Sequence, residues 1–110
     1  MHSPPEESAH RKNGVQLQVV RKLRRGHWPV EHELDLHGLS RAQAGPMLEA
    51  FLRDCAARRM KCVRVIHGKG QGVLKHAVRN ALADSGKVMA YCEAPPEQGG
   101  GGAVLVLLRA

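Results

Sequence analysis

The sequence predicts an α/β domain, a two-layer sandwich around a mostly parallel four-stranded sheet with a short helix in front of it. Three observations lead there. From Leu34 onward, short apolar runs alternate with stretches whose apolar residues recur at helical spacing, in the order strand, helix, strand, helix, strand, strand. Single helices between strands imply right-handed crossovers, which lay the first three strands parallel. Two crossover helices suffice to cover one face of such a sheet, and 110 residues with 43% apolar content make one domain with one core.

Residues 1–14, MHSPPEESAHRKNG, have no periodicity and are expected to form a flexible arm. Residues 15–33 read as a basic helix and linker. Val15, Leu17, Val19, Val20 and Leu23 are its apolar positions, Arg21, Lys22, Arg24 and Arg25 crowd its last turn, and Gly26 stops it. The domain proper is assigned to residues 34–110. Leu34 to His37 alternates as a strand, with the leucines on one face and Asp35 and His37 on the other. Ser40, three residues before Gln43, is a capping-box pattern opening a helix with the apolar face Ala44, Met47, Leu48, Phe51, Leu52 and Cys55. Gly45 and Pro46 inside it predict a kink or a delayed start.

Cys62 to Ile66 is the second strand, and Val73 to Asp84 the second helix, carrying Leu74, Ala77, Val78, Ala81 and Leu82 on one face. Ser85 and Gly86 break it before a third strand, Val88 to Cys92. A Pro- and Gly-rich connection leads to the last strand, Ala103 to Arg109. Its core, Val104 to Leu108, contains no polar residue, which predicts burial on both sides with the N-terminal helix covering the second face.

Composition narrows the function. Seventeen Lys and Arg against ten Asp and Glu give a net charge of +7, which points to a polyanion: nucleic acid, ribosome or an anionic surface. Trp28, Phe51 and Tyr91 are the only aromatic rings besides histidine, too few for a base-stacking platform, so contact with nucleic acid must rest on backbone charge. Cys55, Cys62 and Cys92 show no Cys-x-x-Cys spacing and fall in core elements, as buried reduced thiols do. With no run of eighteen apolar residues, the expected setting is soluble and cytoplasmic, without a membrane partner.

Ligand chemistry in open parallel sheets collects beyond the carboxyl ends of the strands. Two such ends are polar here: Asp35-Leu36-His37-Gly38 and His67-Gly68-Lys69-Gly70. Adjacent strands would bring Asp35, His37, His67 and Lys69 to one edge. Gly68, Gly70 and Gly72 open the backbone to a ligand, and the first amides of the following helix suit a phosphate. The spacing is neither that of a Walker loop nor that of a dinucleotide-binding loop. Two imidazoles, a carboxylate and an ammonium are sufficient for phosphodiester cleavage. One His takes a proton from a ribose 2′-hydroxyl or from water, the other protonates the leaving oxygen, and Lys69 stabilises the developing charge. No cofactor is required in that version; in the alternative, Asp35 and His37 help hold a divalent cation. Arg64 and Lys75 are expected on phosphate, with Arg24, Arg25, Arg58, Arg59, Lys61 and Arg79 as further candidates and His76 near the same loop.

The segments LDLHG (34–38), VRVIHGKG (63–70), Leu74-Lys75, and Ala94-Pro95 leading through Gly99-Gly100 to AVLVLL (103–108) resemble the Smr (small MutS-related) domain, stand-alone bacterial type. Leu23-Arg24-Arg25-Gly26 with Pro29 resembles the lead-in of such members, so the likeness covers roughly residues 20–110. It implies a two-layer α/β sandwich similar to the carboxyl-terminal domain of translation initiation factor three, and endonuclease activity that nicks DNA or cleaves RNA, for some members on ribosomes. By motif, Asp35 and His37 correspond to the family's D-x-H, and His67 to Gly70 to its second loop, in which the glycines are the constant part.

The leading reading is therefore a nucleic-acid endonuclease acting through Asp35, His37 and the loop from His67 to Gly72. The alternative is a non-catalytic module that grips nucleic acid or ribosome with the same loop. A third, an enzyme on a small phosphorylated metabolite, fits the loop and not the charge. RNA against DNA and the oligomeric state are left open.

Overall fold

A computed structural model describes residues 9–109. Five strands and three helices follow in the order β1 (Ala9–Arg11), α1 (Leu17–Arg24), β2 (Glu33–Asp35), α2 (Arg41–Ala57), β3 (Cys62–Ile66), α3 (Val73–Asp84), β4 (Val88–Glu93) and β5 (Ala103–Leu108), with two 3-10 turns between β4 and β5. The sheet order is β1-β4-β5-β3-β2.

The expected mostly parallel, four-stranded sheet is not what forms. The sheet has five strands and is mixed: β2 and β3 are parallel neighbours, while β3–β5, β4–β5 and β1–β4 are antiparallel. Because β3 and β4 both run against β5, they point the same way, as the crossover helices require. They are not neighbours, because β5 returns from β4 without a helix and inserts between them. Six consecutive apolar residues favour the slot that covers both faces, and all six of β5 are buried.

The two faces are closed by different helices. Val63, Val65, Val104, Val106 and Leu108 pack against Leu48, Phe51 and Leu52 of α2 and Val78 and Leu82 of α3. Cys62, Ala90, Cys92, Leu105 and Leu107 pack on the other side against Val20 and Leu23 of α1. The second face is thus covered by a third layer, the helix read from residues 15–33. An irregularity between Val88 and Ala90 lets Val88 and Ala90 serve opposite faces. Burial raises the thiols of Cys62 to about 11 and Cys92 to about 12, and no cysteine is bonded to another.

Two local expectations change. Ala9–Arg11, read as part of a flexible arm, pairs with β4, and Lys12 Nζ donates to the carbonyls of Ser85 (2.6 Å) and Val88 (2.8 Å); residues 1–8 of that arm lie outside the described residues. α2 begins at Arg41 without delay. Ser40 Oγ accepts from Gln43 N–H and Gln43 Oε1 from Ser40 N–H, so the capping box sets the start and the helix runs on through Pro46. Among the described residues no helix is long and apolar enough to cross a membrane.

Candidate active site

The parallel pair β2–β3 ends at one edge, where Leu36 N–H donates to Ile66 C=O at 2.7 Å. That bond holds the Asp35-Leu36-His37 turn beside the His67-Gly68-Lys69 loop. A methyl group placed on Gly68 would lie 3.2 Å from His37 Cβ, so the absence of a side chain there lets the histidine abut the loop. Gly68 also has φ +89°, a conformation that side chains disfavour. Two reasons thus require glycine at this position.

Asp35 and His37 form a pair. His37 Nδ1 lies 2.6 Å from Asp35 Oδ1, and the His37 amide donates to the same oxygen at 3.0 Å. These two bonds from His37 hold the Asp35 carboxyl below its ordinary pKa. A carboxylate accepts only, so Nδ1 carries the proton in this pair, and Nε2 is the ring's basic position. Both side chains face solvent, His37 at 68% and Asp35 at 50% exposure.

His67 is placed differently. It is 4% exposed, its Nδ1 lies 2.8 Å from Gly68 C=O, and its Nε2 is buried without a hydrogen-bond partner among the described residues. A carbonyl only accepts, so Nδ1 is the donor and the ring is neutral or imidazolium, never the opposite tautomer. Burial, with the charges of Lys75 and Arg79 adding, lowers its pKa against smaller opposing contributions from the Gly68 bond and Glu93. The second acid–base imidazole of the expected pair therefore presents no nitrogen to a substrate at the surface.

The glycine loop is held from beneath. His67 and Gly68 both donate their amides to Gly102 C=O at 2.9 Å, and a side chain on Gly102 would meet Lys69 Cγ at 3.0 Å. Gly102 was not singled out by sequence; its run of four glycines reads only as a connection. The loop stands as a ridge between hollows. One, of about 310 Å³, runs between the starts of α2 and α3 and is lined by Ser40, Arg41, His67, Gly68, Gly70 and Gly72 among others. Another, of about 540 Å³, is lined by Lys69, Gly70, Gly72, Lys75, His76 and Arg79 among others. Gly72 caps α3 with φ +92° and no side-chain bond, and the first turn of α3 has no acid, so its leading amides stay open to an anion.

The expected phosphate contacts divide. Lys69 is exposed on the ridge. Lys75 lies in the larger hollow, 4.0 Å from Glu93 Oε1. Arg64 is tied into the fold although it borders a hollow with Gly68 and Lys69: β2–β3 register sets it opposite Glu33, to which its Nε and Nη2 donate, and its Nη1 donates to Gln98 C=O at 3.2 Å. Among the described residues no group of three His, Cys, Asp or Glu gathers as a metal-ligand set. Asp35 and His37 are the two side chains at this edge that could contribute to a cation held jointly with a substrate phosphate.

A sheet edge where a D-L-H-G turn packs against an H-G-K-G loop, beside an α3 start with no side-chain cap, characterises this α/β domain. The chain belongs to the Smr family: the family model described as Smr domain matches residues 34–109. The ribosome rescue factor SmrB of Tolumonas auensis is 42% identical over 94 residues, 86% of this chain and 54% of the relative. That of Photobacterium profundum is 38% identical over 107 residues, 97% of this chain and 59% of the relative. The chain thus spans little more than half the length of these curated relatives. Among solved structures, YdaL, a stand-alone small MutS-related protein from Escherichia coli, matches with TM-score 0.78 at 33% identity, covering 98% of this chain and 86% of that one. The Smr domain of Thermus thermophilus MutS2 matches with TM-score 0.70 at 38% identity, covering 73% of this chain and all of that one.

Proposed function

We propose that this chain is an endonuclease that cleaves the phosphodiester backbone of RNA on or near ribosomes, in the cytoplasm. The observation that carries the reading is the Asp35–His37 pair, fixed at 2.6 Å and set against the Gly68 loop with Lys69 beside it. Asp35 orients the ring and stabilises the imidazolium, so that Nε2 takes the proton of a ribose 2′-hydroxyl. The 2′-oxygen bonds to phosphorus, the bond from phosphorus to the 5′-oxygen breaks, and the departing oxygen takes a proton from solvent. Lys69 and the loop amides stabilise the charge that develops on the phosphoryl oxygens. In this scheme His67 supports the loop and does not exchange protons with substrate. The naming of the relatives as ribosome rescue factors supports RNA and a ribosomal setting.

The test is incubation of the purified chain with labelled single- and double-stranded RNA and DNA, with and without EDTA. RNA cleavage leaving a 2′,3′-cyclic phosphate, unaffected by EDTA and abolished in His37→Ala and Asp35→Ala, is expected. A plain 3′-hydroxyl, or loss of cleavage with EDTA, would replace the 2′-hydroxyl by water on a cation held by the same pair. Salt-sensitive binding with no cleavage of any substrate would leave the gripping module as the function.

A further inference from the structure

The larger hollow beside the glycine ridge carries cations that, Lys69 apart, the cleavage chemistry does not use. Lys69, Lys75, His76 and Arg79 line it together with loop glycines, and no carboxylate does. Among the described residues, Glu93 is the acid that comes within 4.0 Å of its cations, 3.9 Å from Arg79 Nη2 and 4.0 Å from Lys75 Nζ, too far to hydrogen-bond either. Arg79 Nε and Nη2 have no hydrogen-bond partner among the described residues, and the guanidinium rests 6.0 Å from the Tyr91 ring centre. Arg79 is therefore held in place by packing, at 16% side-chain exposure, more than by ion pairing. A half-buried cation attracts an anion more strongly than a fully solvated one and has less side-chain freedom to lose.

We propose that this hollow is a second phosphate subsite, which takes the backbone phosphate of the nucleotide next to the one at His37. The inference rests on the reading of Asp35 and His37 as a phosphodiester-cleaving pair. Gly68 touches His37 and also lines the hollow, so a strand that passes the histidine enters it directly. One helical turn separates Lys75 from Arg79, about 6 Å along α3, which leaves room beyond a phosphate at the ridge for the next one. The subsite makes a polynucleotide the preferred substrate over a dinucleotide. Arg79 and His76 act there as binding residues, apart from the reacting atoms.

The experiment compares an RNA octanucleotide with a dinucleotide, which has a single phosphodiester and nothing to place in the subsite. With the octanucleotide, Arg79→Gln is expected to raise KM about tenfold and the exposed His76→Gln about threefold, with kcat within twofold. Arg79→Lys restores part of the loss. With the dinucleotide both Gln variants behave as wild type. A neutral methylphosphonate at the linkage adjacent to the scissile one reproduces the Arg79→Gln loss in the wild type and adds little to it in the variant. Unchanged octanucleotide KM in both variants, or an equal loss on the dinucleotide, overturns the subsite while wild-type cleavage stands. Absence of wild-type cleavage overturns the cleavage reading instead. The subsite is then judged by binding: a tenfold weaker octanucleotide Kd in Arg79→Gln, with a salt slope smaller by about 0.7, supports it, and an unchanged Kd and slope overturns it.

Discussion

His37 and His67 each follow a parallel strand and precede a glycine, and their surroundings are opposite. His37 is open to solvent, paired with a carboxylate and free at Nε2. His67 is buried, bonded to a carbonyl, and unmatched at Nε2. The difference comes from strand phase. Along β2 and just past it, Leu34 is partly buried and Leu36 fully buried, so Asp35 and His37 fall on the opposite side of an edge strand. On β3 the residues packed under α2 and α3 are Val63 and Val65, and His67 continues their alternation into the covered layer. Proton transfer to a substrate needs the first situation; shaping a loop uses the second.

The sharpest way to break this division is His37→Gln, which removes the basic nitrogen from an exposed site. Cleavage is expected to fall by about 10²- to 10⁴-fold with the thermal midpoint unchanged. An equal fall in His67→Gln, with His37→Gln mild, would reverse the assignment. Next in size is Gly68→Ala, which adds a methyl group 3.2 Å from His37 Cβ and strains a backbone at φ +89°. A stability loss of about 1–2 kcal/mol in urea denaturation and a fall in kcat greater than in KM are expected, since the histidine is displaced. His67→Gln should lower kcat by about tenfold or less and destabilise by about 1 kcal/mol, the value of one hydrogen bond in the loop.

The smallest effect is on the pH dependence of stability. His67 has a lower pKa folded than unfolded, so as pH falls below about 6.5 the unfolded chain takes up a proton that the folded one does not. Stability present above pH 6.5 is then lost until the folded value is reached. Denaturation midpoints at pH 7.5 and 5.5 should differ more in the wild type than in His67→Phe; an identical difference would remove His67 as the source. Asp35 works in the same sense at lower pH, its depressed pKa contributing stability that disappears as the carboxylate is protonated.

Much of the site was legible in sequence because it lies in two short motifs. The capping box at Ser40 and Gln43, the strand of 62–66 and the strand expected at 88–92 all follow from neighbouring residues; the first two form as expected and the third extends one residue further, to Glu93. The burial of His67 had a signal in the sequence, since its spacing from Val63 and Val65 places it in phase with the core. Arg64 carried no such signal. Its pairing with Glu33 depends on the register between β2 and β3, which no local pattern specifies. Gly102 belongs with Arg64: its carbonyl supports a loop 34 residues earlier in the chain.

By itself the sequence determined the three helices and four of the five strands, the two helix-covered faces expected from β5, the basic character and the shared face of Asp35 and His37, all of which arise from contacts or periodicities within a few residues. Only the tertiary structure decided that β5 enters between β3 and β4, that Ala9–Arg11 closes the far edge, and that one imidazole is buried while the other is free. Alternation states which residues share a face of a strand. It does not state which strand lies alongside, because that choice is made by the total area buried when distant segments meet.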